Sequence, residues 1–166
     1  ISPYAATKLA AEKFCYTYSH LYGIRTVCLR FFTVYGPRQR PDLAIRKFME
    51  RIECGQTVPL FGDGTMGRDY TFIDDIVSGV VASLGLDTQY EVINLGNSSP
   101  VGLIEMVRTI ERVLDKQARI EWKPEQPGDV PITFADISKA QRLLGYCPAT
   151  PFELGIEKQV AWMRSL

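Results

Sequence analysis

The sequence predicts an α/β fold built on a mainly parallel sheet. Strand patterns alternate along the chain with helix patterns of ten or more residues, the order that produces βαβ units. The 166 residues are 46% hydrophobic and 23% charged, so the chain holds enough apolar material for one sizeable core. We find no tandem repeat and no low-complexity tract that would favour another architecture.

The longest helix is predicted near the start of the chain. Residues 4–22 contain no Gly or Pro and are rich in Ala and Lys, and Gly23 provides a C-terminal stop. The β-branched and aromatic run that follows, residues 25–32, predicts a buried strand. A Gly36-Pro37 turn then interrupts the pattern.

The rest of the chain continues the alternation of strands and helices. Asp74 or Asp75 is expected to cap one of the later helices, and residues 124–131 are expected to form a turn-rich loop. The predicted strands cover residues 58–61, 68–73, 91–95 and 119–122, and the predicted helices cover 43–53, 74–84, 101–114, 138–144 and 152–166.

A glycine-rich loop that binds dinucleotides is expected in a complete fold of this class. Such a loop follows a strand and opens a helix, whose N-terminus receives the pyrophosphate. Gly62-Asp63-Gly64 instead lies between two predicted strands, so it does not fill that role. We therefore expect the chain to lack the N-terminal part of its natural fold.

Charge and cysteine content argue against several classes of protein. The 19 basic residues balance the 19 acidic ones, so no net field draws the chain to nucleic acid or to an anionic membrane. The longest uncharged apolar stretch, residues 76–86, is far shorter than the ~20 residues of a membrane helix. Four separated cysteines and one histidine give no metal-site spacing, which predicts reduced, mostly buried thiols in a cytoplasmic protein and no metal.

Tyr4 and Lys8 are the first candidates for chemistry. Positions i and i+4 share one face of a helix, so the Lys8 ammonium can approach the Tyr4 phenol. A nearby cation favours the tyrosinate form, and such a tyrosine can act as general base or acid on a substrate hydroxyl. The alternative is an ordinary surface lysine beside a tyrosine at a helix start.

Several sequence blocks together resemble the extended short-chain dehydrogenase/reductase family, and within it the nucleotide-sugar epimerases. They occur in the family's order and cover nearly the whole chain, which makes the resemblance specific. The blocks are Ser2-Pro-Tyr-Ala-Ala-Thr-Lys-Leu-Ala-Ala-Glu12, Leu29-Arg-Phe-Phe-Thr-Val-Tyr-Gly-Pro37, Gly62-Asp-Gly-Thr65, Arg68-Asp-Tyr-Thr-Phe-Ile-Asp-Asp75, Asn94-Leu-Gly96, Pro127-Gly-Asp129 and Asp136-Ile-Ser-Lys-Ala140.

The resemblance implies the C-terminal part of a Rossmann-like fold with a partial, mainly parallel sheet. Residues 1–36 are then the end of the Rossmann-like part with the catalytic helix, and residues 37–166 are mostly a small substrate-binding α/β region. It also implies NAD as cofactor, a UDP-sugar as substrate, and a homodimer of the full-length protein that pairs through the first helix.

By the same resemblance, catalysis belongs to the start of that helix. Tyr4 is the acid/base on the sugar 4-hydroxyl during a transient oxidation to the 4-keto sugar, and Lys8 holds the nicotinamide ribose. Phe31 and Phe32 lie beside the nicotinamide, and Thr33 offers a hydroxyl contact to the sugar. Galactose-type epimerases often carry Asn where Thr33 stands.

The substrate-binding residues implied by the resemblance each have a structural alternative. Arg68 is assigned to the diphosphate or to a surface ion pair, and Arg40 to a sugar carboxylate or to an ion pair with Asp42. Asp129 is assigned to the ribose hydroxyls or to its own turn. An apolar segment is assigned to packing on uracil or to a core strand, and its residues are Val58, Leu60 and Phe61.

The expected activity is that of an NAD-dependent UDP-sugar 4-epimerase, with UDP-glucuronate and UDP-glucose/galactose as candidate substrates. A dehydratase or decarboxylase of the same family remains an alternative. A non-catalytic UDP-sugar-binding fragment is the third possibility, because the cofactor-phosphate loop is not found in this sequence. Resemblance through residues 31–37 and Arg40 favours UDP-glucuronate, since a guanidinium pairs with a carboxylate far better than with a hydroxymethyl group.

Overall fold

A computed structural model describes residues 2–125 and 130–166 of the chain. The helices and strands alternate as the sequence predicts. The helices are α1 (Pro3–Tyr22), α2 (Ala44–Glu53), α3 (Ile73–Leu84), α4 (Leu103–Leu114), α5 (Ser138–Leu144) and α6 (Phe152–Met163). The strands are β1 (Thr26–Phe31), β2 (Thr33–Tyr35), β3 (Thr57–Phe61), β4 (Gly67–Phe72), β5 (Tyr90–Leu95), β6 (Pro100–Gly102), β7 (Arg119–Lys123) and β8 (Ile132–Thr133).

Strand pairing is mainly parallel, which confirms the predicted fold class. β1 pairs with β5, β2 with β4, and β3 with β7, each in parallel. β4 also takes β8 as a parallel neighbour and β6 as an antiparallel one. Parallel pairs need long crossovers, and the chain supplies helices for them.

The strand predicted over residues 25–32 is divided in two by the structure. β1 ends at Phe31, and the backbone N–H of Phe32 donates to Leu95 O at 3.1 Å. From Thr33 onward the chain leaves β5 and pairs with β4 instead. The segment between Phe31 and Thr33 is therefore a point where the backbone changes partner, and it lies at the carboxyl end of β1, the end at which parallel sheets of α/β folds bind ligands.

The predicted cap of the helix after β4 is wrong. The N-cap is Phe72, because strand β4 runs directly into α3 without a turn, and Asp74 and Asp75 lie inside the first helical turn. At this position their negative charges interact favourably with the positive end of the helix dipole. The Asp75 carboxylate instead accepts hydrogen bonds from the backbone N–H groups of Ala149 and Thr150, at 3.2 and 3.1 Å.

Two helix boundaries also differ from the prediction. Residues 101 and 102 belong to β6, because they pair with β4, and α4 begins only at Leu103. The last helix ends at Met163 rather than at residue 166. Both differences occur where a neighbouring element or a helix end decides the backbone, which local sequence does not reveal.

The buried apolar side chains form two clusters. The larger cluster joins α2, α4 and α6 to strands β2, β3 and β4 and includes Phe48, Met106 and Ile156. The smaller cluster packs α3 and α5 on β5 and includes Ile93 and Tyr146. Since β5 pairs with β1, the sheet that contains β1 extends well past residue 36. The division into residues 1–36 and 37–166 stays a prediction.

The cysteines and the helices can be compared with what the sequence predicts about thiols and membrane helices. All four cysteines are free thiols, but Cys54 and Cys147 are exposed, so the expectation of mostly buried thiols is wrong. Among residues 2–125 and 130–166, none of the helices combines the length and the apolar character that crossing a bilayer requires.

Candidate active site

The start of α1 presents Tyr4 and Lys8 together on an exposed face. Ser2 caps the helix, because its side-chain oxygen accepts a hydrogen bond from Ala5 N at 3.1 Å, and Pro3 occupies the first turn. The Lys8 Nζ lies 5.5 Å from the centroid of the Tyr4 ring. The predicted proximity of ammonium and phenol is therefore present, as a cation over the ring face.

α1 is held to the sheet by few contacts. Residues 2–11 are all exposed, and Ser19 is the helix's one buried residue. The Glu12 carboxylate accepts two hydrogen bonds of 2.8 Å from the guanidinium of Arg30 on β1. Arg30 holds the pKa of Glu12 below its usual range. At the other end of the helix, the Ser19 hydroxyl donates to Gln89 O at 2.7 Å.

Glu12 and Arg30 are functional candidates that the sequence analysis does not assign a role. They position the helix that carries Tyr4, and a bidentate arginine–carboxylate pair is directional as well as strong. Two signals in the sequence could have found them. Glu12 lies two helical turns after Tyr4, close to the same helix face, and Arg30 is a charged residue within an otherwise apolar strand.

An open groove of about 560 Å³ runs between α1 and β1. It brings together Tyr4, Lys8 and Phe31, a residue that is 51% exposed. Phe32 packs against the smaller core cluster instead, because successive strand residues point to opposite sides. Of the two phenylalanines predicted to contact the cofactor, Phe31 alone lines the groove.

The inner wall of the groove carries uncharged side chains. Cys28 of β1 lines it together with Cys15 of α1. Burial raises the pKa of the Cys28 thiol, and the neighbouring Cys15 adds to the effect. Burial, with a contribution from Cys28, also raises the pKa of Tyr90 to about 12. The raised pKa values keep Cys28 and Tyr90 neutral near pH 7, so the charged side chains that line the groove are Glu12, Arg30 and Lys8.

A second, smaller cavity of about 250 Å³ contains two of the predicted substrate residues. Thr33 and Arg68 both line it, since β2 and β4 are paired neighbours. Tyr70, Gln39 and Leu43 form further parts of its wall. The Arg68 guanidinium donates to Val130 O at 2.6 Å and to Gly67 O at 2.9 Å, so backbone carbonyls orient it at the cavity. Its assignment to a diphosphate stays a prediction.

The other predicted substrate residues are placed apart from this cavity. Arg40 is exposed and forms an ion pair with Asp42 at 3.0 Å. The side chains of Val58 and Leu60 are completely buried in the larger core cluster, so they present no surface to a ligand. Phe61 is partly exposed and is the one side chain of that segment left as a candidate. Asp129 lies outside the described residues.

The glycines at 62, 64 and 67 have the spacing of a dinucleotide-binding loop but not its structure. Gly62 and Gly64 lie in the turn after β3, with φ of 70° and 81°, and Gly67 begins strand β4. The turn therefore leads into a strand rather than a helix, as the sequence predicts. In the part of the chain that the structure describes, there is also no group of three or more residues suited to hold a metal ion.

Comparison with known proteins identifies a family and close relatives. The family model described as GDP-mannose 4,6 dehydratase matches residues 1–159. UDP-glucuronate 4-epimerase of Thermodesulfobacterium geofontis is 44% identical over 165 residues, which are 99% of this chain and 51% of that protein. UDP-glucuronate 4-epimerase 4 of Arabidopsis thaliana is also 44% identical and is covered to 41%. The chain spans about half the length of the curated relatives it matches.

Solved structures give the same result for the fold. UDP-glucuronic acid 4-epimerase from Bacillus cereus, in complex with UDP-glucuronic acid and NAD, superposes with a TM-score of 0.92 at 38% identity, covering 99% of this chain and 53% of that one. UDP-glucose 4-epimerase from Thermotoga maritima, with UDP-glucose, gives a TM-score of 0.94 at 30% identity, with coverage of 99% and 54%. The predicted Rossmann-like epimerase fold is confirmed.

Proposed function

This chain belongs to the GDP-mannose 4,6-dehydratase family, and from that membership we propose that the full-length protein is an NAD-dependent UDP-sugar 4-epimerase. The observation that carries the proposal is the placement of Tyr4, Lys8 and Phe31 around one groove. A phenol beside an ammonium is a suitable acid/base for a sugar hydroxyl. The relatives' names favour epimerisation over the dehydration in the family's description.

The groove fits the nicotinamide end of NAD. Lys8 offers three donors for ribose hydroxyls, and the exposed ring of Phe31 offers a flat apolar surface. NAD held there would supply a reversible acceptor for the hydride of sugar C4, which must come back to the opposite face of C4 for the sugar to be epimerised. Tyr4 as the phenolate would take the proton of the 4-hydroxyl, become the neutral phenol, and give the proton back when the ketone is reduced, while Lys8 stabilises the phenolate form.

We assign the sugar and the diphosphate to the cavity beside the groove. Thr33 offers a hydroxyl to the sugar, and the Arg68 guanidinium adds positive charge for the phosphates. Phe61 packs on the uracil, and Asp129 accepts from the ribose. UDP-glucuronate is the proposed substrate, because two relatives are named for it and Arg40 lies in the loop that follows β2, the strand of Thr33.

We also propose a cytoplasmic homodimer. The free thiols fit a reducing compartment. α1 exposes large apolar side chains away from the groove, Phe14, Tyr18 and Leu21 among them, and such a surface fits a contact between subunits.

The test is product analysis on the full-length protein with UDP-glucuronate and, separately, UDP-glucose. We expect the 4-epimer, without net reduction of NAD. Tyr4→Phe keeps the ring but removes the proton-transfer group, so turnover should fall by roughly 10²–10⁴-fold while UDP-sugar binding is retained. Tyr22→Phe is the matched control, since Tyr22 is exposed on the same helix but does not line the groove.

Other outcomes distinguish the alternatives. A product that has lost water indicates a dehydratase, and release of carbon dioxide indicates a decarboxylase; the family description gives the dehydratase its support. UDP-sugar binding without any turnover indicates a binding protein. Near-normal turnover by Tyr4→Phe would remove the acid/base assignment.

A further inference from the structure

A buried pair of amide side chains fixes the loop that forms one wall of the Thr33–Arg68 cavity. Gln159 of α6 is completely buried, and its Nε2 donates to Oε1 of Gln39 at 3.0 Å. Its own Oε1 accepts from the backbone N–H of Gly36 at 3.0 Å. The Gln159 side chain thus contacts both ends of the turn between Gly36 and Gln39. This turn is closed by a hydrogen bond from the backbone N–H of Gln39 to Gly36 O.

Gln39 is the centre of this network. Its Nε2 donates to Val34 O at 3.0 Å, and its Oε1 accepts from Arg46 N at 3.2 Å as well as from Gln159. The Arg46 guanidinium donates to Gln39 O at 2.7 Å. Gln39 therefore joins the end of β2 to the start of α2, and it also lines the cavity with Thr33.

Packing alone does not explain a buried glutamine at position 159. An unsatisfied buried amide destabilises a fold, whereas an apolar side chain of the same size fills the space without needing partners. The hydrogen bonds of Gln159 are directional and all meet one loop. Position 36 requires glycine, because its φ is 140° and a Cβ would lie 2.6 Å from Ile73 Cγ2. Gln159 therefore holds the loop in a conformation that requires glycine at position 36.

We propose that Gln159 is a positioning residue, which acts through Gln39 to hold the Gly36–Arg40 loop in the conformation that binds the substrate sugar. The inference rests on the proposed function, since it places the sugar beside Thr33. It predicts that Gln159 affects substrate affinity without touching the substrate. Once the sugar is bound, the rate of the proton transfer at Tyr4 should be little changed, because Tyr4 and Lys8 are held on α1, which is not part of the amide network.

The test is a double-mutant cycle in the full-length protein with Gln159→Met, Gln39→Met and both together. Methionine keeps the length of the side chain but forms neither amide hydrogen bond. We expect each single change to raise KM for UDP-glucuronate about 10-fold with kcat within about 3-fold of wild type. The double variant should be no worse than Gln39→Met alone, because both changes break one network.

Val160→Ala is the matched control. Val160 is buried on the same helix and belongs to the larger core cluster, so its truncation lowers stability without breaking the amide network. Amide hydrogen exchange of residues 36–43 should accelerate in Gln159→Met but not in Val160→Ala. Faster exchange with unchanged KM, or the same KM shift in Val160→Ala, would overturn the proposal.

Failure of the proposed function can be recognised separately. If the wild-type protein turns over no UDP-sugar, calorimetric titration with UDP-glucuronate replaces KM. A Kd raised about 10-fold in Gln159→Met then supports the positioning role. An unchanged Kd, or no binding by the wild type, overturns it. Should Gln159→Met not fold, Gln39→Met alone must show the same shift in affinity.

Discussion

At the scale of the residue, Arg40 is held by a weak partner. Its ion pair with Asp42 is solvent-exposed on both sides, with 73% of the Arg40 side chain and 65% of the Asp42 side chain accessible. Pairs of this kind contribute about 0–1 kcal/mol, so the guanidinium can leave Asp42 at little cost. A carboxylate on the substrate would be a better partner if it paired with the guanidinium through two hydrogen bonds, since Asp42 accepts one.

Arg40→Ala should therefore discriminate between substrates. We expect a loss of about 1.5–3 kcal/mol in kcat/KM for UDP-glucuronate and little change for UDP-glucose. Steady-state kinetics on both sugars measure the difference. Arg38→Asn is the control, since residue 38 has φ of 66° and asparagine tolerates that conformation. Equal losses for both sugars would contradict the carboxylate contact and leave the epimerase assignment standing.

At the scale of the element, Asp69 joins three segments that are distant in sequence. Its buried carboxylate accepts hydrogen bonds of 2.8–2.9 Å from the backbone N–H groups of Asn97, Ser98 and Ala135. β4 is thereby connected to the loop after β5 and to the segment between β8 and α5. Only glycine fits at Gly96, because a Cβ would collide with Ala135 and lie 2.8 Å from Asp69 Oδ2.

Asp69→Asn should be one of the most destabilising conservative changes in the chain. The amide has one acceptor where the carboxylate has two, and its NH₂ group would face a backbone donor. We expect a loss of about 2–4 kcal/mol, or a Tm lowered by roughly 5–12 °C. Differential scanning calorimetry measures it against Asp87→Asn, an Asp whose side chain is 97% exposed. A Tm within a degree or so of the control would show that water replaces these bonds.

At the scale of the whole molecule, carboxylates that bridge elements predict loss of stability in acid. Glu53 at the end of α2 pairs with Arg164 after α6 and with Lys116 after α4. These cations hold the pKa of Glu53 below its usual range, as Lys139 does for Glu91. A lowered pKa in the folded state stabilises it above the unfolded value of ~4.3, and this contribution disappears as pH falls through the folded value.

Glu53→Gln should make the free energy of unfolding less dependent on pH in the acid range. Urea unfolding between about pH 3 and pH 7 should give a smaller decrease for the variant than for wild type, with the gap closing at the acid end. Glu157→Gln, on the exposed face of α6, is the control and should keep the wild-type slope. A variant curve parallel to wild type would exclude Glu53 as a source of the acid sensitivity.

The sequence predicts local structure well and three-dimensional neighbours poorly. Gly23 ends α1 with φ of 67°, as expected, because its conformation is determined by adjacent residues. The split between β1 and β2, by contrast, depends on a change of partner at Phe32. Likewise, the pattern of Val58 and Leu60 suits a ligand surface and a core equally, and only packing distinguishes the two. Gln159 gives no local signal, since its partners lie 120 and 123 positions away.

Because few contacts attach α1 to the sheet, a small rotation of the helix displaces its N-terminal end. The last fixed point before Tyr4 is Glu12, eight residues and thus about 12 Å along the axis. A tilt of about 5° at Glu12 moves the start of the helix by about 1 Å, and a displacement of that size can reduce an enzyme's rate about 100-fold. The two parallel bonds between Glu12 and Arg30 resist such rotation better than a single bond. In the proposed enzyme, the orientation of the Tyr4 hydroxyl would thus depend on the bidentate pair between Glu12 and Arg30, two helical turns away.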